Sequence, residues 1–119
     1  MKLTEAQWAV MEVLWSADRF SLKEITERLK SVNGWSKNTV FTYLTRMAEK
    51  GMVTIDRGSG KPYRAALTRE DCAREERSDL LTRVYGGAAG DLIAAFLKES
   101  SISPKEIQRL KKLLEDMEV

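Results

Sequence analysis

The sequence predicts a mainly α-helical fold carrying one small β-hairpin, and three observations predict it. Capping residues mark the helix starts. Apolar residues recur at helical spacing in a series of segments. After the third such segment the period changes to that of strands, on either side of a glycine-rich turn at Gly58-Ser59-Gly60.

Thr4-Glu5-Ala6-Gln7 reads as a capping box. The first helix is expected from about Glu5 to Trp15, with Trp8, Met11, Val13, Leu14 and Trp15 as a broad apolar face. Ser21-Leu22-Lys23-Glu24 opens a second, from about Leu22 to Ser31, burying Leu22, Ile25 and Leu29. Asn33-Gly34 is a turn signal. Ser36 caps a third, Lys37 to Lys50, and Gly51 is placed to end it with a left-handed residue. Met52 to Arg57 reads as a strand, Gly58 to Pro62 as a flexible turn and Tyr63 to Leu67 as the returning strand. Three helices followed by a hairpin is the order of a winged helix-turn-helix.

Thr68-Arg69-Glu70-Asp71 starts a mostly charged fourth helix, about Arg69 to Tyr85, which Gly86-Gly87 breaks. A fifth is expected from about Ala88 to Lys98. A sixth runs from Lys105 to Met117 behind the capping box Ser103-Pro104-Lys105-Glu106, with proline at its first position. Leu92, Ile93, Phe96 and Leu97 make one apolar stripe, and Ile107, Leu110, Leu113, Leu114 and Met117 another. Short amphipathic helices have little core of their own, so a second copy of the chain is the expected cover. The expected organisation is a winged-helix DNA-binding domain over 1–67 and a helical dimerisation domain over 68–119.

Composition excludes several classes of function. The chain has 119 residues, 43% of them hydrophobic and 32% charged, enough for a core and a solvated surface. No apolar run approaches the roughly 18 residues of a membrane span, and Met1-Lys2-Leu3-Thr4 leads into a polar helix start and not a signal peptide. A cytoplasmic location without membrane insertion is expected. A single cysteine, Cys72, allows no intrachain disulfide. Histidine is absent, which removes the commonest general base and metal ligand, so neither an enzyme nor a metal site nor a cofactor is expected. Net charge is only +2, yet residues 35–64 hold 6 Lys/Arg against 2 Asp/Glu, while 68–119 hold 9 against 11. A basic front and an acidic rear suit a nucleic-acid contact at one end.

The third helix carries the chemistry. At about 100° per residue, Val40, Tyr43, Leu44 and Met47 fall on one arc that must face the first two helices. The opposite arc holds Asn38, Thr42, Thr45 and Glu49, flanked by Phe41 on one side and by Thr39 and Arg46 on the other. Such a face suits a DNA major groove. Asparagine bonds adenine in bidentate fashion, threonine bonds a base or phosphate, and aromatic carbon touches a thymine methyl. Arg46 and Lys50 reach toward phosphate or guanine. Ser36, Lys37 and the free N–H groups of the helix start can hold a phosphate, and Arg57, Lys61 and Arg64 in the wing can contact backbone. The plainer alternatives are a solvated face on a structural helix, or a winged helix that binds protein without DNA.

These residues also carry a resemblance. Leu3 to Trp15, Trp35-Ser36-Lys37-Asn38-Thr39-Val40-Phe41-Thr42-Tyr43-Leu44-Thr45-Arg46-Met47, Lys50-Gly51 and Val84-Tyr85-Gly86-Gly87 together resemble the BlaI/MecI/CopY family of bacterial repressors, the penicillinase repressor family. The resemblance implies a homodimer that binds a palindromic operator on double-stranded DNA and blocks transcription. In one branch of the family a membrane sensor protease triggers cleavage of the repressor, acting indirectly. Here the matching bond is Ala95–Phe96, which keeps the branch's phenylalanine and lacks its asparagine. The copper-sensing branch ends in paired cysteines, and this sequence ends Leu114-Glu115-Asp116-Met117-Glu118-Val119. Phe41 and Asn38 stand where the family carries arginine and lysine, which implies an operator apart from its TACA/TGTA half-sites.

The remaining residues have plain readings. Cys72 reads as an ordinary helix-face cysteine, with a redox-sensing thiol as the alternative. Trp8, Trp15 and Trp35 read as core and staple residues, and Glu75-Glu76 and Glu115-Asp116 as solvated helix faces.

Overall fold

Hydroxyl caps set where most of the helices begin, because each satisfies a main-chain N–H that the first turn leaves open. In the computed structural model, which describes residues 2–117, α1 spans Glu5–Trp15 and α2 spans Leu22–Asn33. Both open with complete capping boxes: Thr4 and Gln7 bond reciprocally, as do Ser21 and Glu24. α3, Lys37–Glu49, is capped by Ser36, and α6, Pro104–Asp116, by Ser103. Between them lie β1 Val53–Ile55, β2 Tyr63–Ala65, α4 Arg69–Tyr85 and α5 Ala89–Glu99. Met1, Glu118 and Val119 lie outside the described residues, including the end of the segment compared above with paired cysteines.

The elements follow the expected order, with differences at their ends. α2 runs two residues past Ser31, because Gly34 adopts φ 67° and its N–H closes on the Leu29 carbonyl; the turn signal acts as the cap. Gly51, at φ 79°, ends α3 as expected. The strands are shorter than the apolar pattern suggested. Asp56 already turns the chain, its carboxylate accepting from the Gly58 N–H at 3.3 Å and its own N–H donating to the Pro62 carbonyl at 2.7 Å.

β1 and β2 pair antiparallel, with Val53 opposite Ala65, Thr54 opposite Arg64 and Ile55 opposite Tyr63. A two-stranded hairpin is marginal alone. Here Phe20, in the α1–α2 connection, bridges to Tyr63 through two main-chain bonds of 2.9 and 3.0 Å. Below the hairpin, Val10, Met11 and Leu14 of α1 meet Ile25 and Leu29 of α2 and Val40, Leu44 and Met47 of α3 in one buried core with Phe20, Met52, Val53 and Tyr63. Each such large apolar side chain contributes about 1.5–3 kcal/mol on burial. Trp8, Trp15 and Trp35 pack half-buried against it.

The chain divides into two compact units, residues 1–77 and 78–119. The division falls ten residues beyond the expected 67/68 boundary, inside α4. The start of α4 belongs to the first unit: Cys72 is in its core, and the Trp8 indole N–H donates to Glu76 at 3.4 Å. In the second unit α5 and α6 bury no residue of their own, and Ile93, Phe96, Leu97, Ile107, Leu113, Leu114 and Met117 are exposed. Leu92 and Leu110 are half-covered.

Candidate nucleic-acid interface

α3 is anchored by its inner arc. Val40, Leu44 and Met47 are buried, and Tyr43 stacks on Trp35 with ring centres 4.2 Å apart. Its outer arc faces solvent at Asn38, Phe41, Thr42 and Glu49, and Phe41 is 46% exposed. An open recess of about 230 Å³ lies among Asn38, Thr39, Thr42 and Tyr43.

The hydroxyls on this helix are largely committed. Ser36 Oγ accepts from the Thr39 N–H at 3.3 Å and shares a 3.1 Å bond with the Thr39 hydroxyl. Thr42 Oγ1 donates to the Asn38 carbonyl at 3.0 Å. Thr45 departs from the expected outward face: it is half-buried, and its hydroxyl oxygen is shut from solvent without a hydrogen-bond partner among the described residues. Packing around the middle of α3 therefore removes Thr45 Oγ1 as an outward polar group, at a cost of about 1–3 kcal/mol for a buried unpaired group.

Lys37, Arg46 and Lys50 are exposed and have no ion-pair partner among the described residues. The fold brings Arg46 and Lys50 to a recess of about 210 Å³ shared with Thr4, Gln7, Tyr43 and Met47. The start of α1 is thus a neighbour of the basic flank of α3. That adjacency was not read from the sequence, although the capping box at Thr4 marked the helix end involved.

The three wing cations have different surroundings. Arg57 is exposed and unpaired among the described residues. Lys61 Nζ lies 3.3 Å from Glu24 Oε2. The Glu24 carboxyl is held below the usual carboxylate range, first by the Ser21 N–H and further by Lys61. Arg64 lines an open groove of about 530 Å³ with Leu14, Trp15, Asp18, Leu67 and Arg69, none of them on α3. A further pair, Arg19 with Asp56 at 3.2 Å, ties the start of the wing's turn to the α1–α2 connection.

Cys72 is only 3% exposed. Burial, with Asp71 and Glu75 beside it, pushes its thiol above the ordinary range, which disfavours the reactive thiolate and the redox alternative. The Ala95–Phe96 bond falls inside α5, with Ala95 half-buried and Phe96 exposed. Among the described residues no group of three or more acids or cysteines could hold a metal ion, and no single helix is long and apolar enough to cross a membrane.

A family model described as penicillinase repressor matches residues 3–116. The methicillin resistance regulatory protein MecI of Staphylococcus aureus strain N315 is 27% identical over 116 residues, 95% of this chain and 93% of that protein. The penicillinase repressor of Bacillus licheniformis is 26% identical over 116 residues, 97% of this chain and 91% of that one. Among solved structures, a MarR/EmrR family transcriptional regulator from Acinetobacter sp. ADP1 aligns over 97% of this chain and 78% of its own, with 19% identity and a TM-score of 0.42.

Proposed function

The chain belongs to the penicillinase repressor family, and from that premise we propose that it binds a palindromic operator on double-stranded DNA as a homodimer and blocks transcription. The family is one of repressors and not of enzymes. One observation carries the reading of the site: the exposed outer face of α3 is bordered by Lys37, Arg46 and Lys50, cations with no ion pair among the described residues. Unpaired cations are free to replace the counterions of a phosphate backbone.

In this reading α3 enters the major groove. Asn38, Phe41 and Thr42 face base edges, and Lys37, Arg46 and Lys50 meet phosphate together with Ser36 and Thr39 at the helix start. Thr45 supports the helix from the side and does not offer its hydroxyl. Arg57 and Lys61 place the wing on flanking backbone, with Arg64 at its edge. The exposed apolar positions of α5 and α6 support dimerisation through Leu92, Ile93, Phe96, Leu97, Ile107, Leu110, Leu113 and Leu114. A dimer sets its half-sites about one helical turn, ~10 bp, apart. The protein acts in the cytoplasm. Release by cleavage at Ala95–Phe96, triggered indirectly by a membrane sensor protease, first requires that α5 unwind locally, since nicking favours exposed loops.

Selecting bound duplexes from a random pool tests the proposal. The expected result is an inverted repeat with half-sites about 10 bp apart. Recovery of no common sequence, with no salt-dependent binding to any duplex, overturns it.

A further inference from the structure

We propose that the outer face of α3 reads its operator chiefly through thymine methyl groups, with Phe41 as the specificity-determining residue. The proposal rests on the DNA-binding reading above and deepens it. It follows from how the polar groups on α3 are spent.

Ser36, Thr39, Thr42 and Thr45 would ordinarily supply hydroxyl donors to base edges. Here Ser36 and Thr39 share a 3.1 Å bond that uses one of their two hydroxyl protons, and Ser36 Oγ also accepts from the Thr39 N–H at 3.3 Å, so the pair keeps a single free proton and holds it at the very start of the helix. Thr42 gives its proton to the Asn38 carbonyl, and the Thr45 oxygen is out of reach of solvent. A hydroxyl that donates inward keeps a lone pair but has no proton for guanine or thymine acceptors. Besides the flanking cations Lys37, Arg46 and Lys50, the groups left on the outer face are the Asn38 amide, the Phe41 ring, the exposed Thr42 and, at the far end of the helix, the Glu49 carboxylate.

Phe41 is 46% exposed and is absent from the core cluster. It follows Asn38 by three positions, so the two side chains are neighbours on the helix surface, about 5–6 Å apart at Cβ. In the major groove the C5 methyl of thymine is the apolar feature, and only thymine presents it. A ring beside an amide on one helix turn therefore suits a thymine one or two base steps from an adenine that Asn38 bonds.

The experiment uses the full chain and the duplex recovered by selection. Each thymine of a half-site is replaced in turn by deoxyuridine, which removes the methyl and leaves base pairing unchanged. One or two positions are expected to weaken binding about fourfold each, the worth of burying one carbon unit, and the others to be silent. Phe41→Ala, checked for folding by circular dichroism, is expected to bind the thymine and deoxyuridine duplexes equally at those positions. Wild-type binding that is indifferent to every deoxyuridine overturns the proposal and leaves the DNA-binding reading standing. Sensitivity that persists in Phe41→Ala overturns the role of Phe41. Absence of salt-dependent DNA binding overturns both readings.

Discussion

Lys61 Nζ lies 3.3 Å from the Glu24 carboxylate, joining the tip of the wing to the first turn of α2. A lysine held by an acid competes poorly for phosphate. Lys61→Ala is therefore expected to reduce the salt slope of DNA binding by less than the ~1 that loss of a free phosphate contact gives. Glu24→Gln keeps the capping box, because glutamine also accepts from the Ser21 N–H. It is expected to tighten binding at low salt and steepen the slope, read by anisotropy titration. An unchanged slope in both variants removes Lys61 from the interface.

The same carboxylate gives a pH dependence. Glu24 and Glu70 both titrate below the ordinary 4.5, Glu24 chiefly through the Ser21 N–H and Glu70 through the Arg77 guanidinium. A lowered folded-state value means the ionised form stabilises the fold. That contribution is complete above 4.5 and is lost as pH falls through the folded-state value. The melting temperature is expected to drop on acidification below 4.5, and to drop less in Glu24→Gln.

Cys72 is expected to resist thiol reagents at neutral pH while the chain is folded, and to react fully in denaturant. Cys72→Ala is expected to lower stability by about 1 kcal/mol, read by chemical denaturation, with DNA affinity unchanged. Rapid modification of the native protein contradicts the burial seen here.

The apolar positions of α5 and α6 give an assembly test. Phe96→Glu and Leu113→Glu replace side chains that are 56% and 54% exposed in the single chain, so the subunit itself is expected to stay folded. Each is expected to sediment as a monomer at micromolar concentration, and the wild type as a dimer. A monomeric wild type contradicts the assembly.

Much of this was legible in the sequence because it is local. Thr4, Ser21, Ser36 and Ser103 cap helices by bonding residues within three positions, so the helix starts follow from the residues themselves. The inner arc of α3 follows from its period. The fate of its hydroxyls does not. Whether Thr42 bonds back to Asn38 or outward depends on a side-chain rotamer, and the burial of Thr45 depends on packing around it. Phe20 bridging Tyr63 and Cys72 entering the core are contacts between distant segments, which no periodicity encodes. For the same reason the sequence does not reveal that the start of α4 packs into the first compact unit.

The central claim is that the unpaired cations beside α3 meet a phosphate backbone. A titration of the selected duplex between about 50 and 200 mM salt, with wild type and Arg46→Ala side by side, tests it most directly. Wild-type affinity is expected to fall steeply and linearly on logarithmic axes, and the Arg46→Ala line to be weaker and shallower by about 1. Wild-type binding that does not change with salt, or an Arg46→Ala line that superimposes on it, contradicts the account.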